Sequence, residues 1–186
     1  RDPARHGVRE LTRHGASSTI RLNGTDEGER DATMLVVLTR LDGQPCVLEG
    51  QDRARQSPST PMGPGALREA RRAMRLAEEL GLPLVTVIDT PGAELSQHAE
   101  EGAIAGEIAR CIATLTTMTV PTVSVVLGQG CGGGALALLP AREVIPAEHP
   151  WLSPRPPEAA SGIVHWGASP AAEIAWLQHA GVLGPA

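Results

Sequence analysis

Residues 128–135 read Gly-Gln-Gly-Cys-Gly-Gly-Gly-Ala and follow directly on an apolar, β-branched run, Thr-Val-Ser-Val-Val-Leu, at 122–127. Glycines at the end of a strand let the backbone reach positive φ and let a ligand touch the main chain. The first amides of a helix that begins there have no internal partners and sit at the positive end of its dipole, so they suit a phosphate or a developing oxyanion. Four chemistries compete for this cluster. Gly128, Gly130 and Gly133 fit the G-x-G-x-x-G of a dinucleotide-binding turn, and Glu148 stands at about the ~20-residue offset of a ribose-binding acid. Against this, Pro140 stops the following helix too early for a full crossover. A nucleophile elbow on Cys131 needs G-x-C-x-G, and Gln129 breaks it; no His or acid is spaced for a triad, so Cys131 reads as a small residue packed in a tight turn. Asp89-Thr90-Pro91-Gly92 has the Asp-x-x-Gly form of a magnesium motif in GTPases. Its partner phosphate loop needs a Lys, and all 16 basic residues are Arg. The fourth chemistry, an oxyanion hole of backbone amides, needs no particular side chain.

Composition narrows the field further. Without Lys, Schiff-base catalysis and a Ser–Lys dyad are closed. Phe and Tyr are absent, so there is no platform for stacking bases, and a net charge of −5 disfavours a phosphate-backbone partner; no nucleic acid is expected. Cys46, Cys111 and Cys131 lie far apart with no C-x-x-C, which supports no metal site and fits reduced thiols in a cytoplasmic protein. The first residues, Arg1-Asp2-Pro3, do not form an apolar leader. The chain reads as a single domain over residues 1–186, a piece of a longer polypeptide. Residues 120–141 carry no charge, but Pro121, Pro140 and the glycines break them into strand, loop and buried helix, so no membrane partner is expected.

The elements that must position the glycine turn follow from periodicity. Residues 1–14 read as a short helix. Residues 33–40 and 45–49 read as strands around Asp42-Gly43, a strong hairpin signal. Residues 50–65 form a polar linker expected to be mobile. Leu67, Ala70, Met74 and Ala77 recur at helical spacing over 66–80, with Gly81 as the stop. Residues 84–88 are a strand buried on both faces that ends at Asp89, whose expected role is to cap the Pro91-Gly92 turn or the next helix. Residues 100–118 read as one helix, 122–127 as a second buried strand, 136–139 as the start of a short helix, and Val144-Ile145 as a third strand. Strand–helix–strand order implies parallel strands and an α/β fold. His98, His149 and His165 are singletons, Glu100 and Glu101 complement a helix start, and Trp151 and Trp166 read as core or interface anchors. Arg53 and Arg55 could meet phosphates or a carrier protein, with solvated loop charge the favoured reading.

Several co-linear motifs resemble the carboxyltransferase of acetyl-CoA carboxylase, in the half equivalent to the bacterial α subunit. They are Gly50-Gln51-Asp52 with Arg53 and Arg55, residues 83–93 (Pro-Leu-Val-Thr-Val-Ile-Asp-Thr-Pro-Gly-Ala), Ala99-Glu100-Glu101, Ile108-Ala109-Arg110, Val120-Pro121, the glycine turn running into Ala-Leu-Ala, and Ser153-Pro154 with Pro157-Glu158 and Ala160-Ser161. The resemblance implies the crotonase (ClpP/crotonase) fold, a spiral of ββα units. It implies transfer of a carboxyl group from carboxybiotin to acetyl-CoA or another acyl-CoA, giving malonyl-CoA for fatty acid synthesis. It implies a biotin carboxyl carrier protein and a β-like half as partners, biotin as co-substrate with no cofactor bound directly, and no activity without the β-like half. By position, Gly133, Gly134 and Ala135 become the oxyanion hole, and Gly130, Gly132, Gly92 and Glu158 line the substrate. Departures are Pro157-Glu158-Ala159 for Pro-Glu-Gly, Glu94-Leu95-Ser96 for Tyr-Pro-Gly, and no four-cysteine zinc ribbon. The missing half is expected to leave apolar surface exposed, so a homo-oligomer is expected. Two alternatives are a non-catalytic scaffold of the same fold and an enoyl-CoA hydratase or isomerase, which would need an acid–base side chain that has no obvious place.

Overall fold

A computed structural model describes residues 7–148 and 150–153. Its centre is a seven-stranded sheet in the order β1-β2-β3-β4-β5-β6, with β7 also on β5. The strands are β1 Ala16–Arg21, β2 Met34–Leu41, β3 Gln44–Gln51, β4 Leu84–Thr90, β5 Thr122–Cys131, β6 Glu143–Pro146 and β7 Trp151–Ser153. β1, β2 and β3 pair antiparallel; β3 to β6 run parallel, as does β7 on β5. The expected hairpin is present: Asp42 and Gly43 both have positive φ, 47° and 76°, as its two-residue turn requires.

The helices are α1 Val8–Gly15, α2 Pro64–Leu80, α3 Gln97–Glu101, α4 Ile104–Thr117 and α5 Gly132–Leu136. α2 opens with Pro at its first turn and closes on Gly81 in the left-handed region (φ 64°), whose N–H bonds the Ala77 and Glu78 carbonyls. Its apolar stripe (Leu67, Ala70, Met74, Ala77) packs with Ile104, Cys111 and Leu115 of α4 and with Val36, Val47, Ile88 and Val126 of the sheet. On the other face α1 seats Val8 among Leu35, Val37, Leu48 and Val87. Val8 sits against Gly50 so closely that a Cβ there would overlap its Cγ2 and lie 2.9 Å from Val87 Cβ.

Several expectations change. Residues 50–65 are not a mobile linker: Gln51, Asp52, Gln56 and Met62 are each 5% exposed or less, because their side chains bond or pack under the strand ends. The helix expected over 100–118 is two, separated at Gly102 and at Ala103, which takes φ 60°. The glycine stretch is not all turn: β5 continues through Gly128, Gln129 and Gly130 to Cys131. A dinucleotide turn starting at Gly128 is thereby excluded, since the backbone there is extended. β1 and β7 have no counterpart in the sequence reading. No described helix is long and apolar enough to cross a membrane.

Candidate functional site

Two turns meet at the carboxyl edge of the parallel strands, where ligands of open α/β sheets gather. One leaves β4 as Thr90-Pro91-Gly92-Ala93; the other leaves β5 at Cys131 and enters α5. Gly92 has φ 130° and Gly132 φ 58°, conformations that favour glycine at both bends. A Cβ on Gly134 would lie 2.6 Å from Met62 Cε, 3.1 Å from Ala93 N and 3.4 Å from Gly92 C. The turns are therefore in direct contact, and hydrogen as the side chain at 134 permits it.

Side chains from the 51–62 segment hold the two turns. Gln51 Nε2 donates to the Gly134 carbonyl (2.6 Å), and its Oε1 accepts from Asp89 N–H (3.1 Å). Gln56 Nε2 donates to the Asp89 carbonyl (3.2 Å), and its Oε1 accepts from the Thr90 hydroxyl (2.7 Å). That hydroxyl in turn accepts from Gly92 N–H (3.1 Å). The Met62 carbonyl accepts from Glu94 N–H at 2.9 Å. The Asp89 carboxylate reaches across to β5, where its Oδ1 accepts from Gln129 N–H (3.1 Å). The reason is the register: Ile88 faces Val126 but Thr90 faces Gly130, so β5 carries extra residues there, and the Asp89 carboxylate takes an amide displaced from the ladder.

The turn's carbonyls are thus turned inward. Gly134 C=O is held by Gln51, and Gly133 C=O accepts from Ala137 N–H at 3.0 Å. In a helix spanning Gly132–Leu136 with Cys131 as cap, the first ring closes from Ala135 N–H to Cys131 C=O. The amides of Gly132, Gly133 and Gly134 are then the first-turn donors, one residue earlier than the Gly133, Gly134 and Ala135 named from the resemblance. Gly132 and Gly133 are half-buried, while Gly134 and Ala135 are buried. Cys131, fully buried, ends β5 and caps α5.

The remaining residues divide as follows. Gly130 lies in β5 against Leu152 and Trp151 of β7 and is a packing position. Glu158, Trp166, His149 and His165 lie outside the described residues. Arg53 Nη1 donates to the Gln56 carbonyl (3.0 Å) and steadies the segment. Gln51, Gln56 and Met62 were given no role by sequence reasoning. Gln51 falls within a matched motif, yet the partners of the Gln51 and Gln56 side chains are 33 to 83 residues away, so no local pattern could reveal them.

The core behind the site holds two perturbed groups. Burial pushes the Glu49 carboxyl well above its ordinary value. Burial first, then Glu49 and Glu107, pushes the Cys111 thiol up to about 12.

Residues 1–178 match the family described as acetyl co-enzyme A carboxylase carboxyltransferase-like. A probable biotin-dependent acyl-coenzyme A carboxylase beta3 subunit of Mycobacterium tuberculosis is 56% identical over 96% of this chain and 36% of its own length. An acetyl-coenzyme A carboxylase carboxyl transferase subunit alpha of Cyanidioschyzon merolae is 34% identical over 84% of this chain and 52% of its own. Among solved structures, transcarboxylase 12S superposes with a TM-score of 0.73 at 18% identity, covering 94% of this chain and 34% of that one. The beta subunit of Pseudomonas aeruginosa geranyl-CoA carboxylase gives 0.64 at 21%, covering 76% and 27%. The structural likenesses establish the crotonase fold, and this chain spans a third to a half of the length of these curated relatives. By sequence and by fold, the chain belongs to the acetyl-CoA carboxylase carboxyltransferase-like family.

Proposed function

We propose that this chain is the α-like part of the carboxyltransferase of a biotin-dependent acyl-CoA carboxylase, acting on acetyl-CoA to give malonyl-CoA. The observation that carries the reading is the glycine turn, fixed against the β4 turn with its carbonyls directed inward. Transfer breaks the N–CO₂ bond of carboxybiotin and forms a C–C bond at the acyl α-carbon, whose proton passes to the biotin nitrogen. The chain's own contribution is electrostatic. The amides of Gly132 to Gly134 stabilise negative charge on the ureido oxygen as CO₂ departs, and the Gln51 and Gln56 bridges keep them aimed before charge develops. No side-chain base is required. A β-like half supplies most of the acyl-CoA contacts, a carrier protein delivers biotin, and the chain alone is inactive. The assembly is oligomeric and cytoplasmic.

A pair of substitutions at one position tests this. A Cβ at 133 meets only the movable tip of Ile108, at 2.6 Å, so Gly133→Ala keeps both fold and amide. Gly133→Pro keeps the first-turn geometry but deletes one N–H. In reverse transfer from malonyl-CoA to biotin with the β-like half present, Gly133→Pro should lower kcat by about a hundredfold or more, and Gly133→Ala by far less. Equal activity of the two variants would remove the turn from the chemistry. Gly134→Val is a poorer probe, because its side chain collides with the β4 turn.

A further inference from the structure

A row of polar side chains crosses the sheet beneath α2 and α4. Glu49 of β3, Thr86 of β4 and Ser124 of β5 are register partners in turn, and all three are fully buried. Each lies two residues from a core position of its own strand (Val47, Ile88 and Val126), so the three share the face that carries that core. Neighbouring strands stand about 4.8 Å apart, which brings adjacent side chains of the row within reach of one another.

One end of the row closes on the main chain behind the glycine turn. The Thr86 and Ser124 hydroxyl oxygens lie 2.8 Å apart, and the Leu138 carbonyl oxygen is 2.9 Å from the first and 2.6 Å from the second. Two hydroxyl protons thus hold together a triangle of three oxygens. Leu138 belongs to the turn that finishes α5: its N–H donates to Ala135 C=O (3.1 Å), just after Ala137 N–H donates to Gly133 C=O (3.0 Å). The triangle therefore ties the end of α5 to β4 and β5, as Gln51 ties Gly134 to β3.

The other end of the row is open. Both carboxylate oxygens of Glu49 are buried without a hydrogen bond. On β2 its neighbour is apolar Val36. On α4 the Cys111 thiol donates to Leu67 C=O, and Glu107 pairs with Arg71 and Arg68 of α2 and with Arg110. Glu69 of α2 accepts from Asn23 and from the Asp31 amide. The Thr86 hydroxyl stands beside Glu49 in register and can change partner. A hydroxyl has a single proton to give. A carboxylate is a stronger acceptor than a carbonyl or a second hydroxyl, and a buried one left unpaired is costly.

We propose that Glu49 is a protonation-dependent positioning residue for α5, acting through the Thr86 hydroxyl on the Leu138 anchor. While Glu49 is uncharged, both hydroxyl protons stay in the triangle. When the carboxyl releases its proton to solvent, the Thr86 O–H turns to the carboxylate, Leu138 keeps only the Ser124 donor, and the end of α5 loosens. The coupling concerns how firmly α5 is held and does not depend on the transfer reading.

Peptide-resolved hydrogen exchange of the whole chain between pH 5 and pH 9 tests it, each rate being divided by the unstructured rate at the same pH. In the parent, peptides covering residues 132–138 should lose protection about three- to tenfold as pH rises, and those covering β2 should lose less. Glu49→Gln keeps the shape without ionising and should make residues 132–138 insensitive to pH. Thr86→Val keeps the shape without the hydroxyl and should also be insensitive, from a lower protection at pH 5. Thr86→Ser restores the hydroxyl and should restore the response. Thermal unfolding verifies that each variant folds; Glu49→Gln alone decides if Thr86→Val does not. Unchanged protection in the parent, equal loss in β2, or a parent-like response in Glu49→Gln or in folded Thr86→Val would each overturn the proposal.

Discussion

The sheet buries two sets of polar side chains, and they are treated in opposite ways. At its carboxyl edge, Gln51, Gln56, Asp89 and Thr90 are each bonded to backbone or to one another across different elements. Beneath α2 and α4, Glu49 is fully buried on β3 with neither carboxylate oxygen bonded. Its sheet neighbours are Val36 and Thr86, and the Thr86 hydroxyl is spent on Ser124, which donates to Leu138 O at 2.6 Å. Burying a polar group costs free energy unless it is bonded. The edge therefore fixes geometry at little net cost, while the interior stores a penalty that protonation of Glu49 reduces.

The largest effect should come from breaking the edge. Gln51→Leu strands the Gly134 carbonyl and the Asp89 amide in a buried site, at about 1–3 kcal/mol for each unsatisfied group. Chemical denaturation should show the midpoint fall with the slope unchanged, and transfer activity should fall more than folding does. A midpoint equal to the parent's would mean the bridge is not holding the turns.

The interior should respond to pH in the opposite sense to a paired acid. Glu49 is held protonated in the fold above the pH at which the unfolded chain ionises it. Stability from this group is therefore full below the ordinary carboxyl value and is lost as pH rises towards the raised native one. The slope is at most about 1.4 kcal/mol per pH unit for one proton. The charged groups near this part of the core are Glu107 and Arg71, which pair with each other at 3.1 Å; the Cys111 thiol beside them stays protonated and neutral throughout. Thermal melts of Glu49→Leu should be flatter between pH 5 and 8 than those of the parent. Parallel curves would show that Glu49 ionises freely.

The smallest effect concerns the thiols. Cys46, Cys111 and Cys131 are buried and in no disulfide, and burial raises the first two. A thiol reagent should titrate no cysteine of the native chain and all three after unfolding, because the thiolate is the reactive form. Rapid native labelling of Cys131 would show that the edge opens more readily than the core.

The contrast also explains what the sequence made legible. α2, β4 and the start of β5 carry strong periodicity or uninterrupted apolar runs, and the Asp42-Gly43 turn has its own signature, so each could be placed from neighbours in sequence. The glycine turn could be singled out, but not the point at which extended backbone gives way to helix, because glycine is compatible with both. β1 is mostly exposed and lacks an apolar alternation. The 50–65 segment looked like solvated linker because its residues are polar, and burial of Gln51 and Gln56 depends on carbonyls and amides that only the folded sheet brings near. Family resemblance drew attention to the glycine turn, yet it did not reveal which side chains brace it.

Gly50 gives the second face of the sheet its own vulnerability. The first helix sets its buried valine in a notch that exists only while position 50 carries a bare hydrogen. A single methyl there would unseat that helix and uncover the aliphatic side chains of Leu35, Val37, Leu48 and Val87 beneath it. The notch is a one-atom latch between a closed apolar surface and a sticky one.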